Sequence, residues 1–134
     1  MAWFRPAPAD VPNVERPGVL HVSNPPESKV IHDPAAVIVR VDRSGHTELG
    51  VTGVIDLENC GALRRALDGH SPVVQIDLSG VRFVDAAAIR VMVETADAAR
   101  REGGRCSLLG LDRFHRRLIE SLGLTERLGV RAAA

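Results

Sequence analysis

The fold of this chain is decided by residues 73–101, which read VVQIDLSGVRFVDAAAIRVMVETADAARR. The segment from Val73 to Leu78 is almost continuously apolar, which is typical of a strand buried on both faces of a parallel sheet. Ser79-Gly80 interrupts the apolar run, and residues 81–84 resume an extended pattern. The pattern therefore predicts a buried central strand that is interrupted before it reaches residue 84.

A long helix follows this strand. Asp85 lies where a helix N-cap is expected, because its carboxylate can accept hydrogen bonds from the free amides of the first turn. The helix is predicted from Ala86 to about Arg101, and Gly103-Gly104 stops it. Its apolar residues recur at helical spacing and are predicted to face the core: Ile89, Met92, Val93 and Ala96.

The residues before this unit predict a hairpin and a first helix. Residues 37–41 form an apolar strand, Arg43-Ser44-Gly45 supplies a turn, and residues 46–52 form the second strand. Asp56 then lies where an N-cap belongs, and the helix that follows is predicted to end at Gly69. The residues with helical spacing in it are Leu57, Cys60, Leu63 and Leu67.

The residues after the long helix predict one more strand, at Cys106–Leu109, and one more helix, capped by Asp112 and closed by Gly123. The apolar residues of that helix are Phe114, Leu118 and Leu122. Strand–helix–strand connections imply parallel pairing with right-handed crossovers. The order of elements predicts the α/β class, as a sandwich of a mixed, mostly parallel sheet with helices packed on it.

The first 34 residues differ from the rest of the chain. They contain seven of the eight prolines and lack periodic hydrophobicity. Such a segment cannot bury enough apolar surface to offset the entropy of ordering it. We therefore predict a disordered tail over residues 1–34 and a single folded domain over residues 35–131.

Composition excludes several functions. The 17 basic and 17 acidic residues give no net charge, so no overall field attracts nucleic acid or an anionic membrane. Two clusters of arginines, at residues 100–105 and 113–117, are interpreted as solvated ends of helices and strands. No apolar run is long enough for a signal peptide or a membrane span, which predicts a cytoplasmic protein.

The cysteines and histidines give no sign of a metal site or a cofactor. Cys60 and Cys106 predict two free thiols packed as small hydrophobic residues, with a redox pair as the alternative. No Cys-x-x-Cys, His-Glu-x-x-His or cysteine–histidine cluster is present, so neither a metal nor a cofactor is expected.

Several stretches of the chain resemble the STAS family, which includes bacterial anti-sigma-factor antagonists. Residues 53–56, GVID, resemble the family's Gly-Glu-Leu-Asp, and residues 77–85, DLSGVRFVD, are similar to its Asp-Leu-Ser-x-Val-x-Phe-x-Asp run. Residues 101–104 look like the end of the family's second helix, and residues 114–124 look like its third helix with the following loop. The resemblance spans residues 36–130 and implies the STAS fold.

One departure from the family pattern affects regulation. Where the family has Ser-Ser-Gly-Leu or Ser-Thr-Gly-Leu after the aspartate that matches Asp85, this chain has Ala-Ala-Ala-Ile at residues 86–89. The second hydroxyl residue of the family motif is its phosphorylation site. Ala87 occupies that position and has no hydroxyl, so the resemblance implies a degenerate phosphoacceptor.

The resemblance implies a regulatory binding module rather than an enzyme. It would bind an anti-sigma factor of the histidine-kinase-like ATPase type and so release a sigma factor, without holding a cofactor of its own. A homodimer stays open. The partner surface that the resemblance implies consists of Gly53, Asp56, Asp85, Ala86, Ala87, Ala88, Ile89 and Arg90.

Two alternatives remain at this point. The chain could instead be a STAS subunit that serves as an interaction module in a transporter or a stress-signalling complex. Asp56, Asp77 and Asp85 could be structural acceptors of backbone hydrogen bonds, contacts for a partner, or a Mg²⁺ site of an enzyme. The enzyme is disfavoured, because the chain has no glycine-rich phosphate loop and no order of residues that suggests a catalytic triad.

Overall fold

The computed structural model of the protein describes residues 27–131. The strands are β1 (Glu27–Asp33), β2 (Ala36–Arg43), β3 (His46–Ile55), β4 (Val73–Val84) and β5 (Arg105–Leu109), and the helices are α1 (Cys60–Ala66), α2 (Ala86–Arg101) and α3 (Arg113–Ser121). The five strands form one sheet in the order β1-β2-β3-β4-β5. The pairs β1–β2 and β2–β3 are antiparallel, and β3–β4 and β4–β5 are parallel. This arrangement confirms the α/β class and the mixed sheet, but the sheet is not mostly parallel as predicted, because β1 adds a second antiparallel pair.

Strand β1 corrects the predicted domain boundary. The sequence predicts residues 27–33 to belong to a disordered tail, but they pair with β2 along their whole length, from Glu27 opposite Asp42 to Asp33 opposite Ala36. Only Val30 and Ile31 in this strand are large and apolar, so its sequence pattern is weak, and a neighbouring strand is what orders it. The part of the predicted tail at residues 1–26 lies outside the described residues.

Within residues 27–131, the buried side chains of β4 lie on one face of the sheet, which corrects the prediction that β4 is buried on both faces. In β4, Val74, Ile76 and Leu78 are buried, whereas Gln75 is half-buried and Asp77 is exposed. Helix α2 packs on β4 and β5, and α1 packs on β1 and β2 and against α2. The alternation along β4 shows that its apolar run reflects strand propensity as well as burial.

The predicted interruption at Ser79-Gly80 takes the form of irregular pairing rather than a break. Strand β4 runs on to Val84, but its register with β3 shifts between Gly50 and Thr52 and again between Gly53 and Val54. Its pairing with β5 ends at Asp77. The last residues of β4 therefore have a strand on one side only, and this free edge lies directly before Asp85.

The helices also refine the predictions. Helix α1 begins at Cys60, three residues later than Leu57, and Asn59 rather than Asp56 occupies its N-cap. Helix α2 has the predicted bounds and its predicted cap, Asp85. In α3 the buried residues are His115 and Ile119, whereas Phe114 and the C-cap residue Leu122 are exposed. No helix in residues 27–131 is long and apolar enough to cross a membrane.

Candidate functional site

Asp85 joins the two stretches that the sequence singled out. Its Oδ1 accepts hydrogen bonds from the backbone amides of Ala87 at 3.0 Å and Ala88 at 3.2 Å, which confirms it as the N-cap of α2. Its Oδ2 accepts from the amide of Leu57 at 3.0 Å, 28 residues away in the loop between β3 and α1. One carboxylate therefore fixes the β3–α1 loop against the start of α2.

The β3–α1 loop is held from inside by Asn59, whose role the sequence did not indicate. The Asn59 amide nitrogen donates to the Val54 carbonyl at 2.8 Å and to Asp33 Oδ1 at 3.3 Å, and its oxygen accepts from the Asp56 amide at 2.7 Å. The side chain is buried. Because these three partners lie in β1, β3 and the loop, Asn59 sets the position of the loop relative to the sheet.

Asp56 and Gly53 lie in this loop and at the end of β3. Asp56 Oδ1 accepts from the amides of Glu58 at 3.0 Å and Asn59 at 3.2 Å, so it caps the turn that precedes α1 rather than the helix itself. Gly53 has a φ of 100°, and a Cβ there would overlap the Ala35 carbonyl. The glycine is therefore needed for the close approach of β3 to the turn between β1 and β2.

The first turn of α2 is only partly available to a partner. Ala86 and Arg90 are exposed and Ala87 is half-buried. Ala88 and Ile89, which belong to the predicted partner surface, lie in the hydrophobic core and expose almost no side-chain area. Leu57, which the sequence assigned to the inner face of α1, is instead 75% exposed beside this turn.

Asp77, the third aspartate that the sequence singled out, does not share contacts with Asp56 or Asp85. Asp77 Oδ1 accepts from the Ser79 amide at 2.9 Å, which is the structural role predicted for it. No group of three or more histidine, cysteine or acidic residues within residues 27–131 has the geometry to hold a metal ion.

Cys60 and Cys106 are both free thiols, as predicted. Burial raises the pKa of Cys106 to about 11, which leaves it protonated and unreactive near neutral pH.

His115 supports the same junction from the other side. It is 2% exposed, and its Nε2 accepts a hydrogen bond from the Val84 amide at 3.2 Å, on the edge of β4 that β5 does not reach. Its Nδ1 lies 2.8 Å from Asp112 Oδ1, which is the geometry of a neutral imidazole with its proton on Nδ1. The backbone amide of His115 also donates to Asp112 and, as the largest cause, holds the pKa of that carboxyl below its usual value.

The family assignment follows from a family model described as "Mlab, STAS domain", which matches residues 39–130. The chain belongs to the STAS domain family. A search of curated protein sequences finds no match.

Solved structures with the same fold include two kinds of protein. An anti-sigma factor antagonist from Mycobacterium paratuberculosis is 23% identical, with a TM-score of 0.66 over 77% of this chain and 92% of its own. The phosphorylated form of the Bacillus cell fate determinant SpoIIAA is 12% identical, with a TM-score of 0.56 over 79% and 92%. The murine Solute Carrier 26 family member A9 anion transporter is 19% identical, with a TM-score of 0.56 over 67% of this chain and 16% of its own. At these identities the likeness is one of fold.

Proposed function

We propose that the protein is an anti-sigma-factor antagonist that binds an anti-sigma factor of the histidine-kinase-like ATPase type and thereby releases a sigma factor. In this proposal it is a regulatory binding module and not an enzyme. The observation that carries the proposal is the Asp85 carboxylate, which joins the amides of Leu57, Ala87 and Ala88 into one rigid surface. A surface that is already ordered loses little conformational entropy when a partner binds.

The accessible part of this surface is small and has few charges. Leu57 and Ala86 are exposed and apolar, Ala87 is half-buried, and the carboxylate of Asp85 is occupied by backbone amides. Its charged side chains are those of the half-buried Asp56 and of Glu58 and Arg90, which are both exposed. A surface of this kind suits contact with a protein, and it lacks the cluster of polar side chains that catalysis requires.

Control of this module would differ from that of a phosphorylated antagonist. Ala87 presents a methyl group, which cannot accept a phosphoryl group. After incubation with an anti-sigma kinase and ATP, mass spectrometry is expected to find no phosphate on residues 85–89. Phosphate on Ser79 or Ser44 would show that a phosphorylation switch lies elsewhere in the chain and would contradict the proposal that this module is controlled differently from a phosphorylated antagonist.

The decisive experiment places a charge at Ala87. The first turn of a helix tolerates an anion, so Ala87→Asp is expected to fold normally. In the complex that anion would be desolvated beside Asp85 and Asp56, and calorimetry with a purified anti-sigma kinase should show an affinity loss of about 10- to 100-fold. Arg90, one helical turn further on, offsets part of the charge. The loss caused by Ala87→Asp should therefore be larger when it is measured against Arg90→Gln alone than when it is measured against the parent.

Two neutral variants are the matched controls. Ala87→Asn has the shape of aspartate without its charge and Ala87→Ser restores the family's hydroxyl, and both are expected to bind more tightly than Ala87→Asp. If Ala87→Asp binds the kinase as well as the parent does, the start of α2 is not the interface and the proposed function is wrong.

A second candidate is a STAS subunit that acts as an interaction module in a transporter or a stress-signalling complex. The match of fold with the murine anion transporter favours it, since the STAS-like part there covers only 16% of a much longer chain. The two candidates differ in their partner. Specific binding of the purified chain to a transporter ATPase, together with no binding to an anti-sigma kinase, would favour the second candidate.

A further inference from the structure

Both aromatic residues in the described part of the chain lie on the surface. Phe83, near the end of β4, is 41% exposed, and Phe114, in the first turn of α3, is 60% exposed. Their ring centroids lie 5.8 Å and 5.0 Å from that of His115. In a protein with so few aromatic residues, rings placed outside the core contribute little to folding. Two exposed rings on one histidine point instead to a contact surface.

The ring between them is fixed in place. His115 is buried and hydrogen bonded at both nitrogens, to the Val84 amide and to Asp112 Oδ1. Its ring therefore has a fixed orientation next to Phe83 and Phe114, and we call these three residues the aromatic shelf. The Val84 amide lies directly before Asp85, so the shelf is continuous through the backbone with the surface at the start of α2.

Three exposed arginines lie next to the shelf residues in the sequence. Arg82 precedes Phe83, Arg113 precedes Phe114, and Arg117 lies one helical turn beyond Phe114, and all three are exposed. Within residues 27–131 none of these three arginines takes part in an ion pair. Two carboxylates next to the shelf in the sequence are already occupied, Asp85 by three backbone amides and Asp112 by His115.

We propose that the aromatic shelf is a docking surface for a protein segment that has an apolar side chain at its centre and carboxylates around it. The apolar side chain would lie on Phe83 and Phe114, and the carboxylates would pair with Arg82, Arg113 and Arg117. The proposal rests on the proposed function for one point only, namely that such a segment belongs to the anti-sigma factor. It extends the partner surface from α2 onto α3.

The direct test uses a short acidic peptide, acetyl-Glu-Glu-Asp-Leu-Phe-Asp-Glu-Glu-amide, and the full chain labelled with nitrogen-15. Binding is expected to shift amide signals within residues 82–85 and 113–117, and the shifts should weaken as salt is raised. A peptide with lysine in place of every acidic residue should cause no such shifts. Equal binding of both peptides, or shifts outside these residues, would overturn the proposal.

Matched variants separate the apolar and the charged contributions. Phe114→Ser should weaken peptide binding by about tenfold, as expected for an anchoring aromatic residue. Val30→Ser removes an apolar side chain of similar exposure, 52%, from the opposite edge of the sheet and should change nothing. Arg113→Glu should weaken binding at low salt only, whereas Arg105→Glu, at the start of β5, should bind like the parent. Circular dichroism checks that each variant is folded.

Two further measurements distinguish a protein partner from a membrane and separate this proposal from the proposed function. Vesicles containing phosphatidylglycerol should not bind, and binding to them that Phe114→Ser abolishes would identify a membrane surface and refute the proposal. With a purified anti-sigma kinase, Phe114→Ser and Ala87→Asp should both lose affinity. A loss with Ala87→Asp alone would remove the shelf from the interface, whereas a loss with Phe114→Ser alone would support the shelf and refute the proposed surface on α2.

Discussion

The junctions β3–α1 and β4–α2 have the same sequence pattern, a strand followed by aspartate, but they fold differently. At β4–α2, Asp85 is the N-cap and a helix of 16 residues starts at once. At β3–α1, Asp56 caps a turn, Asn59 takes the N-cap position, and the helix has only seven residues. An aspartate after a strand therefore predicts a local cap. What it caps depends on which other polar groups reach the same place.

The two junctions also differ in what holds them. The β3–α1 junction depends on β1, because Asn59 donates to Asp33. The β4–α2 junction depends on α3, because His115 accepts from Val84. Asp85 connects the two through the Leu57 amide. Because Asn59 supports one junction and His115 supports the other, each junction can be disturbed separately.

The largest effect is expected when β1 is removed. A chain that begins at Ala35 loses the strand that pairs with β2 and the Asp33 carboxylate that Asn59 contacts. We expect the thermal midpoint to fall by more than about 10 °C, which corresponds to about 2 kcal/mol or more for a domain of this size. Hydrogen exchange should increase more at the Asp56 amide than at the Ala87 amide.

The control for this truncation is a chain that begins at Pro26, which keeps β1 complete. A thermal midpoint for the chain beginning at Ala35 within about 3 °C of this control, well under 1 kcal/mol, would show that β1 contributes little to stability. It would also show that the β3–α1 junction does not depend on β1.

A smaller effect is expected from removing the caps. Asp85→Ala leaves three backbone amides without their acceptor and should lower the free energy of unfolding by about 2 kcal/mol. Asp56→Ala removes the acceptor of two amides in an exposed turn and should cost about 1 kcal/mol. Urea unfolding measures both. Asp85→Asn keeps an oxygen acceptor, so its free energy of unfolding should lie between those of Asp85→Ala and the parent. Equal losses for Asp85→Ala and Asp56→Ala would contradict the expected difference between the two junctions.

The smallest effect on stability is expected at a third junction, between β5 and α3, where Asp112 is the N-cap. The folded protein lowers the pKa of Asp112, first through the His115 backbone amide. A lowered pKa means that the stabilisation is complete above the unfolded value of about 3.9 and is lost as the pH falls through the folded value. Because Asp112 is half exposed, we expect the contribution to be less than about 1 kcal/mol.

The measurement is the stability of Asp112→Asn and the parent between pH 5 and pH 2. The variant should lose less stability over this range. Some pH dependence should remain, because Arg127 holds the pKa of Asp97 at about 2 and Arg40 lowers that of Asp42. Identical pH profiles would show that the cap does not depend on the charge of Asp112.

The sequence predicted the elements whose patterns are local. The β2–β3 hairpin has two strand-like apolar segments joined by a Ser-Gly turn, and α2 has a cap, a regular apolar face and a glycine stop, so each follows from adjacent residues. The missing hydroxyl at Ala87 is also a property of the sequence alone, since alanine cannot be phosphorylated wherever it lies.

The tertiary structure decided the features that depend on distant residues. Strand β1 has too few apolar residues to be recognised, and it is ordered by pairing with β2. The contacts from Asp85 to Leu57 and from His115 to Val84 join residues 28 and 31 positions apart, and no local pattern encodes such a pair. Phe114 illustrates the same limit. Its helical spacing with Leu118 and Leu122 groups it with the apolar face of α3, but it is exposed. The reason is that His115 occupies the place beside the free edge of β4.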